Sequence, residues 1–148
     1  MDNIETKATL FGNFFLVANK LQTFGDKYFF SDDEITVKQW FMMAIIEKYF
    51  QEPPKLIDIA NKSGTSYQNV KVIISKLEKN GFAKIQQDIN DKRVLRVTLT
   101  DKCREYWQLK ENDSLIFLNE IFSKFSDDEL SLYLKLTSKL IWELDNLK

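Results

Sequence analysis

Histidine is absent from this chain of 148 residues, and cysteine occurs once. Without histidine, a Ser-His-Asp triad, a Cys-His dyad and the common zinc sites each lack an essential member. The lone Cys103 has no partner for an intrachain disulfide, so a reducing, cytoplasmic compartment is expected. These absences exclude most catalytic and metal-binding classes, and the sequence predicts neither enzymatic activity nor a cofactor.

Long apolar runs are missing as well. The longest run, from Trp40 to Ile46, has seven residues, whereas a membrane-spanning helix needs about 20. The amino terminus is acidic and has no apolar signal core. With 44% apolar residues but only four Gly and two Pro, the chain has the composition and length of one globular domain, and no membrane partner is expected.

The formal net charge of −1 hides an uneven distribution of charge along the chain. Residues 55–104 contain 11 Lys and Arg against five Asp and Glu, a balance of +6. The rest of the chain has 10 basic and 17 acidic residues, a balance of −7. A basic middle between acidic ends is typical of a protein that presents one face to a polyanion, although basic residues that only solvate a surface give the same count.

Helix signals recur along the chain. Four pairs of residues have the spacing of a capping box, in which a hydroxyl and a carboxylate or amide satisfy the first free amides of a helix: Ser31 with Glu34, Thr36 with Gln39, Thr65 with Gln68, and Ser126 with Glu129. Together with apolar periodicity they predict helices at about 4–24, 37–50, 55–62, 66–80, 101–125 and 130–147. The first helix has more apolar positions than one stripe needs, and we expect it to be buried on two sides.

The middle of the chain has the order of a winged helix. Ser63-Gly64 separates two of the predicted helices by a short turn, which is the helix-turn-helix pattern. Two stretches of alternating residues, 82–87 and 94–99, then flank the polar hexapeptide 88–93 and predict a β-hairpin. The predicted fold class is therefore mainly α with a small β-hairpin wing, a winged helix-turn-helix flanked by helices at both ends of the chain.

Particular residues in this order resemble a known family. They are the Thr36-Val37-Lys38-Gln39 start, the segment LIDIANKSGTSYQNVKVIISKLEKNGF, the tip Asp88-x-x-Asp91-Lys92-Arg93 and the exit Val97-Thr98-Leu99-Thr100. The chain resembles the MarR family of bacterial transcriptional regulators over nearly its whole length.

That resemblance implies a single MarR-like domain over residues 1–148. It places a winged-helix DNA-binding region at about 36–100 and dimerisation helices at about 4–27 and 101–147. It implies a homodimer that binds a pseudo-palindromic operator in double-stranded DNA, acting as a ligand-responsive repressor. By the family's pattern, Arg93 enters the minor groove while Asp91 holds it or the wing backbone, and the alternative is an exposed salt bridge between the two.

The predicted helix over 66–80 has one side that suits contacts with DNA bases. At 100° per residue its core stripe is Val70, Ile73, Ile74 and Leu77, so the row containing Gln68 and Val72 points the opposite way. Gln can bond adenine and Val can pack on a thymine methyl, while Lys suits phosphates. Gln68 has an alternative role in the predicted capping box. With the hairpin tip, the DNA-binding candidates are Ser66, Tyr67, Gln68, Asn69, Lys71, Val72, Ser75, Lys76, Asp91, Lys92 and Arg93.

Three further expectations concern the rest of the chain. The last helix is apolar on more than one face, which predicts a homodimer or, alternatively, burial within one subunit. The resemblance implies a small aromatic effector, and the aromatic residues from Phe11 to Trp40 either line its pocket or belong to the core. Cys103 lies in a first helical turn, where the helix dipole lowers a thiol pKa, and is either a thiol sensor or a structural residue.

One alternative remains for the protein as a whole. Winged helices also serve as protein-protein interaction modules without DNA binding, and the acidic ends suit a basic partner. The dependence of affinity on salt concentration separates the two functions.

Overall fold

A computed structural model describes residues 2–30 and 35–147 of the chain. Within these ranges the elements are α1 Asn3–Phe24, followed by a π-helical segment Gly25–Phe29, α2 Val37–Tyr49, α3 Leu56–Ser63, α4 Tyr67–Lys79, β1 Ala83–Gln87, β2 Leu95–Leu99, α5 Asp101–Phe122 and α6 Asp127–Asp145. Contacts divide the chain into two compact units, residues 1–110 and 111–148. The predicted class, mainly helical with one small hairpin, is confirmed.

The first unit contains the helix-turn-helix and the hairpin. Gly64 ends α3 with φ +68°, a left-handed conformation that favours glycine because a side chain would clash there. α4 packs against α2, α3 and β1. The largest fully buried side chains of this core are Met42, Met43, Leu56, Ile59, Val70, Ile74, Leu77, Val97 and Cys103.

Capping bonds set the starts of three helices. The reciprocal bonds of the box are present between Thr36 and Gln39 at α2 and between Ser126 and Glu129 at α6, as predicted. The pair Ser31 with Glu34 lies outside the described residues.

The predicted capping box at the start of α4 is wrong by one residue. Ser66 is the N-cap, with an extended backbone, and its hydroxyl accepts from the backbone amide of Asn69 at 3.3 Å. Thr65 and Ser66 both have capping side chains, and the turn after Gly64 places the second of them at the helix start. Gln68 therefore has no part in the cap.

The hairpin is antiparallel and is joined to the helix that precedes it. Ala83 pairs with Leu99 and Gln87 with Leu95. The Glu78 carboxylate at the end of α4 accepts from the backbone amide of Ile85 at 2.6 Å. This bond ties the strand β1 to the preceding helix.

The two terminal helices are exposed within the single chain. In α1 and α6, both of which lie wholly in the described ranges, no residue is buried. The expectation that the first helix is buried on two sides is thus wrong for one subunit, because no element of the described chain covers its apolar side chains. In the described part of the chain, no helix combines the length and the apolar composition that crossing a bilayer requires.

Candidate nucleic-acid interface

α4 has one buried side and one exposed side. Val70, Ile74 and Leu77 are fully buried, as the 3.6-residue period predicts, and Ile73 is half-buried. All eight candidates from the start and the outer side of this helix are exposed: Ser66, Tyr67, Gln68, Asn69, Lys71, Val72, Ser75 and Lys76. Even the apolar Val72 is 54% exposed. The row predicted to read bases is therefore open to solvent.

The start of α4 also offers a hydrogen-bond donor. Because the Ser66 hydroxyl accepts from the Asn69 amide, its own hydrogen is still available for donation. Ser66 and Asn69 line an open cleft of about 530 Å³ that Lys38 of α2 also borders. A serine donor and a lysine cation are groups that bind phosphate oxygens.

Hydrogen bonds within the tip of the hairpin orient its arginine. Asp91 Oδ1 accepts from the backbone amide of Arg93 at 3.0 Å and from its Nε at 3.1 Å. Asp91 Oδ2 accepts from Arg93 Nη2 at 3.2 Å. The Arg93 side chain nevertheless stays 90% exposed. Asp91 therefore contacts both of its predicted partners, the Arg93 side chain and the backbone of the hairpin tip. The salt bridge between Asp91 and Arg93, which was the alternative, is present as well.

The charge state of the tip follows from these bonds. The hydrogen bonds from the Arg93 guanidinium and then from its backbone amide lower the pKa of Asp91 below its ordinary value of 3.8. Asp91 is therefore ionised at neutral pH, and it keeps Arg93 oriented. Lys92 beside them is exposed.

A comparison with protein families bears on this surface. The model described as "MarR family" matches residues 35–95, which include α2, the helix-turn-helix and most of the hairpin. This part of the chain is similar to the MarR family. Members of the MarR family are transcriptional regulators and not enzymes.

An individual regulator is similar to this chain as well. Over 97 residues the chain is 35% identical to YkoM, an uncharacterized HTH-type transcriptional regulator of Bacillus subtilis (strain 168). The aligned stretch is 65% of this chain and 63% of YkoM, so the chain spans slightly less than two thirds of that relative's length.

Solved structures share the fold. A MarR protein from Peptoclostridium difficile DA00132 is 22% identical, with a TM-score of 0.77, over 93% of this chain and 88% of its own. FabT of Streptococcus pneumoniae, whose crystal structure is a complex with DNA, is 20% identical, with a TM-score of 0.64, over 99% of this chain and 100% of its own.

Two residues of the hairpin received no role from the sequence, Asp88, which the tip motif contains, and Arg96. Asp88 and Arg96 hold the base of the hairpin tip through an ion pair between their side chains. A local signal for Asp88 existed, because an Asp side chain in a tight turn often accepts from the backbone amide two residues later, as Asp88 does from Asn90. Arg96 gave only a weak signal, a charged residue between the apolar Leu95 and Val97.

The aromatic residues proposed for an effector pocket mostly pack on one another. Phe30 is buried in the core and stacks edge to face on Phe29 with ring centres 4.5 Å apart. Trp40 meets Trp107 of α5 in the same way at 6.3 Å. The alternative interpretation, a structural role, therefore holds for Phe30.

Cys103 is fully buried, and its environment is the reverse of the one predicted. Its thiol lies 3.6 Å from the Met43 sulfur. Burial, and then the nearby Glu47 charge, raise the pKa of Cys103 from 9.0 to about 11. The expected lowering by the helix dipole is wrong because the desolvation of a thiolate in this core is the larger effect. The residue thus has the features of a structural cysteine.

We expect Cys103 to resist alkylation in the folded protein. A pKa raised by two units lowers the thiolate fraction about a hundredfold near pH 8, and burial blocks access as well. Because the pKa of Cys103 is higher in the folded state, the buried neutral thiol stabilises the fold fully at pH values below the ordinary pKa of 9.0. This stabilisation is lost as pH rises through about 11. Mass spectrometry after iodoacetamide treatment should show little adduct in native protein and full adduct in guanidinium chloride. Equal labelling of both samples would contradict this assignment.

Proposed function

We propose that this protein is a sequence-specific, double-stranded DNA-binding transcriptional regulator that works in the cytoplasm as a homodimer on a pseudo-palindromic operator. The observation that carries the proposal is the exposed row of α4 in the same compact unit as the exposed Arg93 of the hairpin tip. The family match over residues 35–95 supports it.

α4 supplies the base contacts in this proposal. An α-helix fits the major groove, where Gln68 can bond an adenine and Val72 can contact a thymine methyl. Lys71 and Lys76 flank the row and are exposed, so they suit the phosphates on either side. Since the cap belongs to Ser66, the amide of Gln68 is available for DNA.

The hairpin tip supplies a second contact, in the minor groove. A narrow minor groove has an enhanced negative potential that attracts arginine. Arg93 has a planar guanidinium that Asp91 already orients, so little side-chain freedom is lost on binding. Lys92 adds a positive charge near the phosphate backbone of the DNA.

The homodimer explains the exposed terminal helices. α6 leaves a set of large apolar side chains exposed, namely Leu132, Tyr133, Leu134, Leu136, Leu140, Ile141, Trp142 and Leu144. In α1, Phe11 is 68% exposed and Phe15 60%. A monomer rarely leaves so much contiguous apolar surface in water, and a second copy of the chain would cover it.

Sedimentation velocity at micromolar concentration is expected to show a species of twice 17.5 kDa. Leu136→Lys, which places a charge on the exposed apolar side of α6, should shift the population toward the monomer, whereas Lys139→Gln should not. A wild-type sample that sediments only as the 17.5 kDa chain would contradict the homodimer.

We further propose that the protein is a repressor that releases DNA when a small aromatic effector binds. The family resemblance and the aromatic residues near Trp40 and Trp107 support an aromatic ligand, since rings favour edge-to-face and stacked contacts. A thermal-shift screen of small aromatic acids identifies a candidate, and a reporter assay with that compound gives the sign of regulation.

Selection of bound duplexes from a random pool tests the DNA-binding proposal. An enriched pseudo-palindrome with half-sites about one helical turn apart is the expected result. If no sequence is enriched and the protein instead binds a basic protein partner, the interaction-module alternative replaces this proposal.

A further inference from the structure

Arg96 of β2 connects the hairpin to the loop that precedes α3. Its Nη1 donates to the backbone carbonyl of Pro53 at 2.8 Å, across 43 residues of sequence. Its Nε donates to Asp88 Oδ1. The backbone reinforces the link, because the Val97 amide donates to the Pro54 carbonyl at 2.9 Å and Arg96 forms a β-bridge with Lys55. The hairpin is thus fixed to the helix-turn-helix from its second strand.

Asp88 uses its second carboxylate oxygen to shape the hairpin tip. Oδ2 accepts from the backbone amides of Asn90 at 3.0 Å and Asp91 at 3.1 Å. The backbone amide of Asp88 also donates to the Val94 carbonyl at 2.9 Å, which closes the turn. The hydrogen bond from Arg96 lowers the pKa of Asp88 below 3.8, so this carboxylate is ionised at neutral pH.

These contacts continue to the DNA-binding arginine. The Asp91 amide is held by Asp88, and the Asp91 carboxylate in turn binds the guanidinium of Arg93. A chain of hydrogen bonds therefore runs from the Pro53 carbonyl through Arg96, Asp88 and Asp91 to Arg93. In the contacts described above, Arg93 does not bind Pro53, Arg96 or Asp88 directly.

We propose that Arg96 and Asp88 are positioning residues for DNA binding, which fix the direction in which the hairpin tip presents Arg93. This inference rests on the proposed function of the protein. A tip that already has its binding orientation before it meets DNA loses less conformational freedom when the complex forms. Neither residue needs to touch DNA for this effect.

The variant Asp88→Asn distinguishes positioning from simple electrostatics. Removing a negative charge close to a DNA-binding surface should strengthen binding if charge alone mattered, because repulsion of phosphate is lost. An Asn at this position cannot give one oxygen to Arg96 and another to the turn amides, so a positioning role predicts weaker binding, by about tenfold. The two accounts predict opposite signs.

Asp101→Asn is the matched control. Asp101 also forms an ion pair with an arginine, Arg104, but outside the hairpin and in an exposed place. Its substitution changes the net charge by the same amount and should leave affinity unchanged or slightly higher. Arg96→Lys is the complementary variant, since lysine keeps the charge but lacks the fork that reaches both Asp88 and Pro53, and it should weaken binding as well.

The experiment measures the affinity of the full chain for a selected duplex by fluorescence anisotropy, with thermal unfolding of each variant alongside. We expect Asp88→Asn to weaken binding in the wild-type background and to have little effect in the Arg93→Ala background, where no guanidinium remains to be positioned. A purely structural role would cost the same affinity in both backgrounds and would overturn the inference, as would an Asp88→Asn protein that binds as tightly as Asp101→Asn.

The control outcomes separate this inference from the proposed function. If the wild-type protein binds no duplex in the same assay, the DNA-binding proposal itself fails. If Asp88→Asn unfolds below the assay temperature, Arg96→Lys in the two backgrounds decides the question by the same comparison.

Discussion

The variant Arg93→Ala is expected to bind a selected duplex more weakly by about 1–3 kcal/mol. The Arg93 side chain is 90% exposed and contacts only Asp91 among the ion pairs described, so its truncation removes the proposed DNA contact without disturbing the core. The midpoint of thermal unfolding should be unchanged. Fluorescence anisotropy with labelled duplex measures the first quantity and circular dichroism the second.

Lys124→Ala is the control for this prediction. Lys124 is exposed in the turn between α5 and α6 and belongs to neither the hairpin nor α4, so the change removes the same charge from another part of the chain. It should leave affinity nearly unaltered. Equal affinities of Arg93→Ala and Lys124→Ala would show that the hairpin tip does not bind DNA.

The variant Ile74→Ala is expected to lower the free energy of unfolding by about 2–5 kcal/mol. Ile74 has no exposed surface and lies in the core on the inner side of α4. Truncation there removes buried methyl groups and leaves a cavity, because a close-packed core relaxes only in part. Urea unfolding, followed by circular dichroism, gives the change from the shifted midpoint at constant slope.

Val72→Ala on the same helix provides the matched comparison. Val72 is 54% exposed, so its truncation should change the free energy of unfolding by less than about 0.5 kcal/mol. It should instead reduce the preference of the protein for thymine at one position of the operator. If Val72→Ala proved as destabilising as Ile74→Ala, the assignment of inner and outer sides of α4 would be wrong.

Features encoded by local spacing were predictable from the sequence. The inner stripe of α4, the hairpin around residues 88–93 and the capping boxes at Thr36 and Ser126 each depend on residues a few positions apart, and the structure contains them. The start of α4 was missed by one residue because Thr65 and Ser66 are both good caps. The choice between them depends on the turn at Gly64.

Features that depend on tertiary packing were not predictable. The helix position of Cys103 suggested a low thiol pKa, but the core around it, which includes Met43 from 60 residues earlier, buries the thiol and reverses the shift. The contact of Arg96 with the Pro53 carbonyl joins residues 43 positions apart. Apolar periodicity showed that α1 and α6 need a covering surface, but it does not say whether that surface lies in the same chain.

The salt dependence of wild-type binding to the selected duplex tests the central claim most directly. If the lysines of α4 and the cations of the hairpin neutralise several phosphates, the logarithm of the binding constant falls linearly with the logarithm of salt concentration, and affinity drops about tenfold or more over a fourfold rise in salt. Affinity that stays constant over that range, or that is the same for random duplex at every salt concentration, would contradict the proposal of a sequence-specific DNA-binding protein.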